Sequence, residues 1–311
     1  MSYFDKLDWW PNQNFKGICD SLFNIPCSIT VTRYTPEELL NKKDYDAVFL
    51  MRGGNALSAE HILHYKSNGT LIALCHDDIF YWRTRLWSCY SKELIKWFDV
   101  ADIIFTMWME CFLKFKQYNR FKRKLVWLPW SASDSILDAN VEWNSRRDKI
   151  LLSGSTGKCY PFRRIIKDYS ISDGGRKLIE SIKHYGYRQH SHEKMLIGQS
   201  YYDHLKTYKA AIATGGIKPA HYHRAKYMEI AACGCLPFLE HTPDIHFLGF
   251  VDGINCILID KHNYKQKFEL IHSDKAFLIA NNARELVRKR HLHSHRASTI
   301  ISTIINKLEL G

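Results

Sequence analysis

The sequence predicts an α/β protein built from two successive doubly wound domains, and three observations predict it. Short apolar runs alternate with longer amphipathic ones along the chain, the rhythm of strands and helices taking turns. The apolar runs are nearly continuous, so both faces of each sheet are covered, as in a parallel sheet flanked by helices. The chain has 311 residues, long for one core and comfortable for two domains of about 150 residues each.

In the first half, strands are expected at Ser28–Thr32, Ala47–Met51, Leu71–Cys75, Ile103–Thr106 and Leu125–Leu128. Helices fall between them near Pro36–Asn41, Ser58–Ser67, Ser91–Phe98 and Trp108–Tyr118. The polar stretch Asn140–Asp148 reads as a linker. It separates a domain over 1–143 from one over 149–296, with a last segment, 297–311, expected to cross back to the first. Composition shifts at the same place: all nine tryptophans lie between Trp9 and Trp143, and thirteen of the sixteen histidines follow Trp143. After the linker the rhythm restarts with a strand at Ile150–Ser153 and helices at Phe162–Asp168 and Lys177–Tyr185. Leu205–Lys209 leads into the small-residue strand Ala210–Thr214. A helix from about Arg224 to Ala232 stops at Gly234, a glycine where a helix needs one. Strands at Leu236–Leu239 and Cys256–Ile259 and helices at Ala276–Arg290 and Ala297–Leu308 complete the set.

Composition excludes several classes. With 46% hydrophobic and 24% charged residues the chain is globular rather than disordered. No apolar run reaches the ~20 residues of a membrane span, and Met1–Asn14 lacks the basic and apolar regions of a secretory signal, so a cytoplasmic protein is expected. Nine scattered cysteines read as buried, reduced thiols. Cys233-Gly234-Cys235 is too close for a zinc knuckle and has no second pair, so no metal is expected. A net charge of +12 attracts polyanions: a donor diphosphate, nucleic acid or an anionic membrane face.

Two segments carry chemistry. Leu151-Leu152-Ser153-Gly154-Ser155-Thr156-Gly157-Lys158 is a strand running into a glycine turn. There, backbone N–H groups and a following helix can cradle phosphates. It is not a Walker A motif, because Leu152 and Cys159 stand where glycine and Ser/Thr are required. Arg163 and Arg164 follow. The cradle candidates are Gly154, Ser155, Gly157, Lys158 and Arg163. The second segment, Arg224-Ala225-Lys226-Tyr227-Met228-Glu229-Ile230-Ala231-Ala232-Cys233-Gly234, puts a carboxylate on a helix that ends in small residues and glycine.

This second segment resembles the nucleotide-binding signature of GT-B glycosyltransferases of the family-4-like group (glycosyl transferases group 1), closest in look to the spore-maturation-type branch. Thr207–Ala213 and Phe250–Ile257 extend the likeness around it, and Leu74–Asp78, Asp102–Thr106 and Leu128–Trp130 extend it into the first half. The resemblance implies two facing Rossmann-like domains with a central cleft. It also implies a nucleotide-diphosphate sugar as co-substrate, transfer with retention, and no essential metal or cofactor. By position it gives Glu229 the donor ribose and Lys226 the diphosphate, with Tyr227 counted among the donor-binding residues. It departs at His221, which stands where the wider family has a second glutamate.

For catalysis the candidates are Lys226 with His76 and Asp78. His76-Asp77-Asp78 follows a strand, where doubly wound sheets place ligands. These residues either orient and deprotonate an acceptor hydroxyl or cap the next helix. The Arg52-Gly53-Gly54-Asn55 turn and the tryptophans Trp82, Trp87, Trp97 and Trp108 are further candidates for cleft or core. The basic run Arg288–Arg296 reads as a solvated helix end or turn. The acceptor is a glycan by family, or a modified base in DNA by charge. A non-catalytic nucleotide- or nucleic-acid-binding protein on the same fold is the reading from another class.

Overall fold

In the computed structural model of the chain, the described residues are 10–25, 30, 32, 38–39, 45–51, 59–76, 92–114, 116–138, 142–182, 196, 198–216 and 221–310. The expected elements at 28–32 and 36–41, the Arg52–Asn55 turn, Asp77, Asp78, Trp82 and Trp87 lie largely or wholly outside them. The chain divides into two compact units. One consists mainly of Phe15–Pro129 with Ser294–Gly311, the other mainly of Trp130–His293.

Helix α1 (Trp10–Leu22) precedes the first sheet. That sheet is formed by β1 (Ala47–Met51), β2 (Leu71–His76), β3 (Ile103–Thr106) and β4 (Leu125–Trp127), parallel and in the order β1-β2-β3-β4. Helices α2 (Ala59–Ser67), α3 (Lys92–Val100) and α4 (Met109–Leu113) lie between the strands. The expected helix at 108–118 is cut short after Leu113, and a 3₁₀ segment, Lys116–Lys124, follows. There the rings of Phe112, Tyr118 and Phe121 close around Phe98, an aromatic cluster that outweighs regular helix. Trp97 and Trp108 are core residues.

The second unit runs β5 (Arg147–Leu152), α5 (Pro161–Ser170), α6 (Asp173–Leu178), β6 (Ile179–Ser181), α7 (Gln199–Lys206), β7 (Tyr208–Ala213), α8 (Ala225–Ala232), β8 (Leu236–Glu240) and β9 (Ile257–Ile259). Then come α9 (Tyr264–Phe268) and α10 (Ala276–Arg290). The helix expected at 177–185 is corrected: residues 179–181 are a strand. Ser172 caps the short α6 through the N–H of Gly175, and Ile179 then pairs with Ile150 on the edge of β5. Sheet pairing outweighs local preference here. The sheet is parallel, ordered β6-β5-β7-β8-β9. Its apolar core includes Ile150, Leu152, Ile212, Phe238 and Phe268.

The end of α8 is built as its sequence requires. Gly234 sits at φ +69°, and its N–H donates to Ala231 O at 2.9 Å. Arg146, in the stretch expected as a linker, is buried. Its guanidinium donates to the carbonyls of Cys233 and Gly234, both at 3.0 Å. The basic run 288–296 is a helix end and the turn into the next helix, as expected, with Arg288–Arg290 exposed, but its second half is not solvated. His291, His293 and Arg296 are buried, His291 Nε2 lies 2.8 Å from Leu248 O, and Arg296 donates to Pro129 O at 2.7 Å. The last helix, α11 (His293–Glu309), starts four residues earlier than expected, and buries Ala297, Ile300, Ile301 and Ile304. Cys159, Cys233, Cys235 and Cys256 are free thiols. Among the described residues no helix is long and apolar enough to cross a membrane.

Candidate functional site

The strand order of the second sheet fixes where a ligand can enter. From β5 the chain winds outward to β6, then returns to the other side of β5 and continues through β7, β8 and β9. The winding reverses between β5 and β7, and at such a switch point doubly wound sheets hold ligands at the C-terminal ends of the strands. Those ends are Ser153-Gly154 and Thr214-Gly215.

Two cations converge on this point. Arg163, on α5, is buried. It donates from Nε to Thr214 Oγ1 at 3.0 Å and from Nη1 to Ser155 O at 3.0 Å, tying the two loops together. Lys226, in the first turn of α8, donates to Ser153 Oγ at 2.7 Å, and its ammonium lies 5.1 Å from the centre of the Tyr201 ring. Gly154 lies directly over both. Its φ is +99°, and a Cβ there would stand 2.6 Å from Arg163 Nη1 and 3.0 Å from Lys226 Nζ. Only glycine lets both cations approach the backbone this closely. Arg224 adds a third buried cation at the N-cap position of α8, where it gives the helix no side-chain cap.

The electrostatics follow from this crowding. Burial, with the neighbouring Arg163 charge, lowers the Lys226 ammonium to about 7, and Glu229 opposes the shift. Burial, with the charge of Arg224 adding to it, likewise disfavours the Arg163 cation. Like charges held together in a desolvated place, with the positive end of a helix beside them, favour the arrival of an anion.

Glu229 lies one turn further along α8 and is buried. The hydroxyl of Tyr202, on α7, is 3.5 Å from its Oε1. The neighbouring Tyr201 shares the Ser153 hydroxyl at 2.8 Å, so α7 and α8 together line the site. A further station follows at the end of β8. There Glu240 accepts from Gly215 N–H at 2.8 Å and meets His221 Nε2 at 3.0 Å. Just past His221 the chain is held by the buried pair His223 and Asp244, with His223 N–H donating to Asp244 Oδ1 at 3.2 Å. Burial works against the Asp244 carboxylate, but His223 outweighs it and holds that carboxyl below its ordinary range.

Gly154, Ser155, Arg163 and Lys226 thus come together, with Glu229 one helical turn away. Gly157 and Lys158 are exposed on the turn, where Gly157 N–H donates to Ser155 Oγ at 3.2 Å. Tyr227 is fully buried, and its hydroxyl donates to Glu240 O at 2.9 Å. His76, in the other unit, ends β2 beside Thr106, with its ring edge-on to Phe98 at 5.9 Å. Asp78 lies outside the described residues. Sequence reasoning missed Ser153, Tyr201, Tyr202, Thr214, Arg224 and the His221–Glu240 pair as site residues. Arg224 opens the very segment that carried the resemblance, and Thr214-Gly215 at a strand end was a legible signal. Among the described residues no group of three or more His, Cys, Asp or Glu is placed to hold a metal ion.

Residues 170–302 match the family model described as glycosyl transferase-like. No curated protein matches the chain by sequence. Among solved structures, the chain is similar to a glycosyltransferase from Rickettsia africae, at 11% identity and a TM-score of 0.61, over 94% of this chain and 82% of that one. It is similar to HepE of Anabaena, solved in complex with UDP, at 11% identity and a TM-score of 0.58, over 87% of this chain and 80% of that one. Sucrose-phosphate synthase from Thermosynechococcus elongatus matches at 11% identity and a TM-score of 0.53, over 91% and 82%. Residues 170–302 are thus similar to a glycosyl transferase-like domain, and the chain has the two-domain α/β fold of the GT-B glycosyltransferases.

Proposed function

We propose that the chain is a glycosyltransferase that takes its sugar from a nucleoside-diphosphate sugar and passes it to a hydroxyl of a glycan acceptor. The observation that carries this reading is the convergence of Arg163 and Lys226 beneath Gly154 at the switch point of the second sheet. The task in glycosyl transfer is to stabilise charge developing on the leaving diphosphate. Lys226, Arg163 and the N-terminal N–H groups of α8 meet that charge, so the transfer needs no metal. Glu229, steadied by Tyr202, receives the ribose hydroxyls. HepE solved with UDP, with UDP and glucose, and with UDP-glucose supports a uridine donor. Retention of the anomeric configuration is the stereochemistry implied by the family resemblance.

A thermal-shift panel of UDP, GDP, ADP and CMP, with their sugars, tests this reading. A ligand at about 100 times its Kd stabilises by roughly 2.7 kcal/mol, several degrees in a chain of this size. One nucleoside diphosphate should shift the native protein and fail to shift Glu229→Ala. A folded protein that responds to none of them overturns the proposal.

Lys226 adds a pH signature. In the free protein its ammonium titrates at about 7, and a bound diphosphate restores its charge, so binding takes up a proton above that pH. Affinity should fall as pH rises from 7 towards 10, by up to about tenfold per unit. Calorimetry of UDP binding at pH 8.5, in buffers of different ionisation enthalpy, should count close to one proton taken up. No proton uptake would place the diphosphate away from Lys226.

A further inference from the structure

The second unit has another cleft, at the opposite end of its strands. It lies where the chain enters β5 and β8, a strand's length from the cation cluster, and α10 supplies its far wall. Its volume is about 540 Å³, inside the roughly 300–1,000 Å³ that small-molecule sites occupy. Trp143 and Phe277 line it, with ring centroids 5.7 Å apart and planes at 55°. Phe277 is 50% exposed and presents its ring to the cleft. Glu142, Asn144, Asn281 and Arg284 bring polar groups to the same cleft.

The chemistry of this lining selects a ligand class. Its cations are already engaged. Arg146 serves the carbonyls at the end of α8, and Arg284 donates to Leu137 O at 2.9 Å. Lys209, near the Trp143 ring, is paired with Asp148 at 3.2 Å. A phosphate would meet the carboxylate of Glu142 beside two guanidinium groups that are turned to backbone carbonyls. A flat base would find two rings too steeply inclined to sandwich it. The exposed groups are two carboxamides, each both donor and acceptor, one carboxylate acceptor, and two aromatic surfaces. A neutral pyranose presents what they need: C–H groups over a ring face and hydroxyls around its edge.

We infer that this cleft is a second carbohydrate site, which takes a neutral hexopyranose, free or as one residue of a glycan chain. The inference stands on residues separate from the cation cluster and does not depend on the donor reading. In the proposed activity such a site would hold a glycan near the enzyme between transfers and lengthen its stay on a polymeric acceptor.

Saturation-transfer NMR on the full chain tests it. The probes are glucose, N-acetylglucosamine, a glucose trisaccharide, uridine and inorganic phosphate, each with and without saturating UDP. At least one neutral saccharide should show transfer that persists in UDP and falls at least fivefold in both Phe277→Ala and Asn281→Ala. Phe277 is half-exposed and Asn281 exposed, so both variants should keep the native melting temperature. If either unfolds, Asn281→Asp and Phe277→Leu carry the same test. A trisaccharide held more than tenfold tighter than glucose identifies a glycan chain as the source, and equal affinities identify a single sugar. The inference is overturned if no saccharide shows transfer, or if transfer is unchanged in both variants. It is also overturned if uridine or phosphate is the probe lost in them. Failure of UDP to bind would count against the donor reading alone.

Discussion

Lys226→Met is expected to slow sugar transfer by about 10²–10³-fold, the usual cost of deleting one preorganised group that meets developing negative charge. The loss should appear in kcat at saturating donor, because the ammonium matters most as the sugar–diphosphate bond breaks. The same substitution should leave the melting temperature unchanged or raise it. Lys226 is a desolvated cation held against Arg163, and methionine removes both the desolvation and the repulsion. Activity down with stability level or up is a pairing that damage to the core does not produce. A variant with native kcat would show that the leaving diphosphate does not pass under Gly154.

The largest stability effect should come from the other end of α8. Arg146→Ala is expected to destabilise the protein by about 3 kcal/mol, since it deprives buried carbonyls of charged donors. The guanidinium bonds Cys233 O and Gly234 O at 3.0 Å each and lies 3.4 Å from Tyr208 O. It thereby satisfies the end of a helix and the start of two strands. A planar fork does this and a single ammonium does not, so Arg146→Lys should recover less than half of the loss. Urea denaturation with unchanged slope would measure it. A loss under 1 kcal/mol in Arg146→Ala would show that water takes over those carbonyls at little cost.

What could be read from sequence follows a physical boundary. Helix α8 was legible with its end at Gly234 because capping, small-residue packing and the carboxylate all lie within eleven consecutive residues, Arg224 to Gly234. The strands of both sheets other than β6 were legible because a buried parallel strand is a short unbroken apolar run. The partners that make the site specific were not, because they are far apart in sequence. Arg163 meets Thr214 across 51 residues and Lys226 meets Ser153 across 73, and no local pattern encodes such pairs. Arg146 shows the same limit from the other side. In a polar stretch rich in Asn, Ser and Arg it read as linker, yet the chain folds it inward where helix carbonyls wait for a donor. At 177–185 the local signal misled, because Leu178, Ile179 and Ile182 suit a helix face and a strand edge alike. Only the exposed edge of β5 decided between them.

The division of the chain has a consequence for how the protein is made. The first unit takes in Phe15–Pro129 and then Ser294–Gly311, with the whole of Trp130–His293 in between. Helix α11, which supplies that unit with Ala297, Ile300, Ile301 and Ile304, leaves the ribosome after the stretch Trp130–His293. At synthesis rates of about 5–20 residues per second, the first unit waits on the order of ten seconds or more for its last helix. The second unit has no such wait, since its strands and helices emerge in one continuous stretch. The part begun first is therefore finished last, and a nascent chain stalled before Ser294 would hold a complete second unit and leave the first with an apolar surface for chaperones to cover.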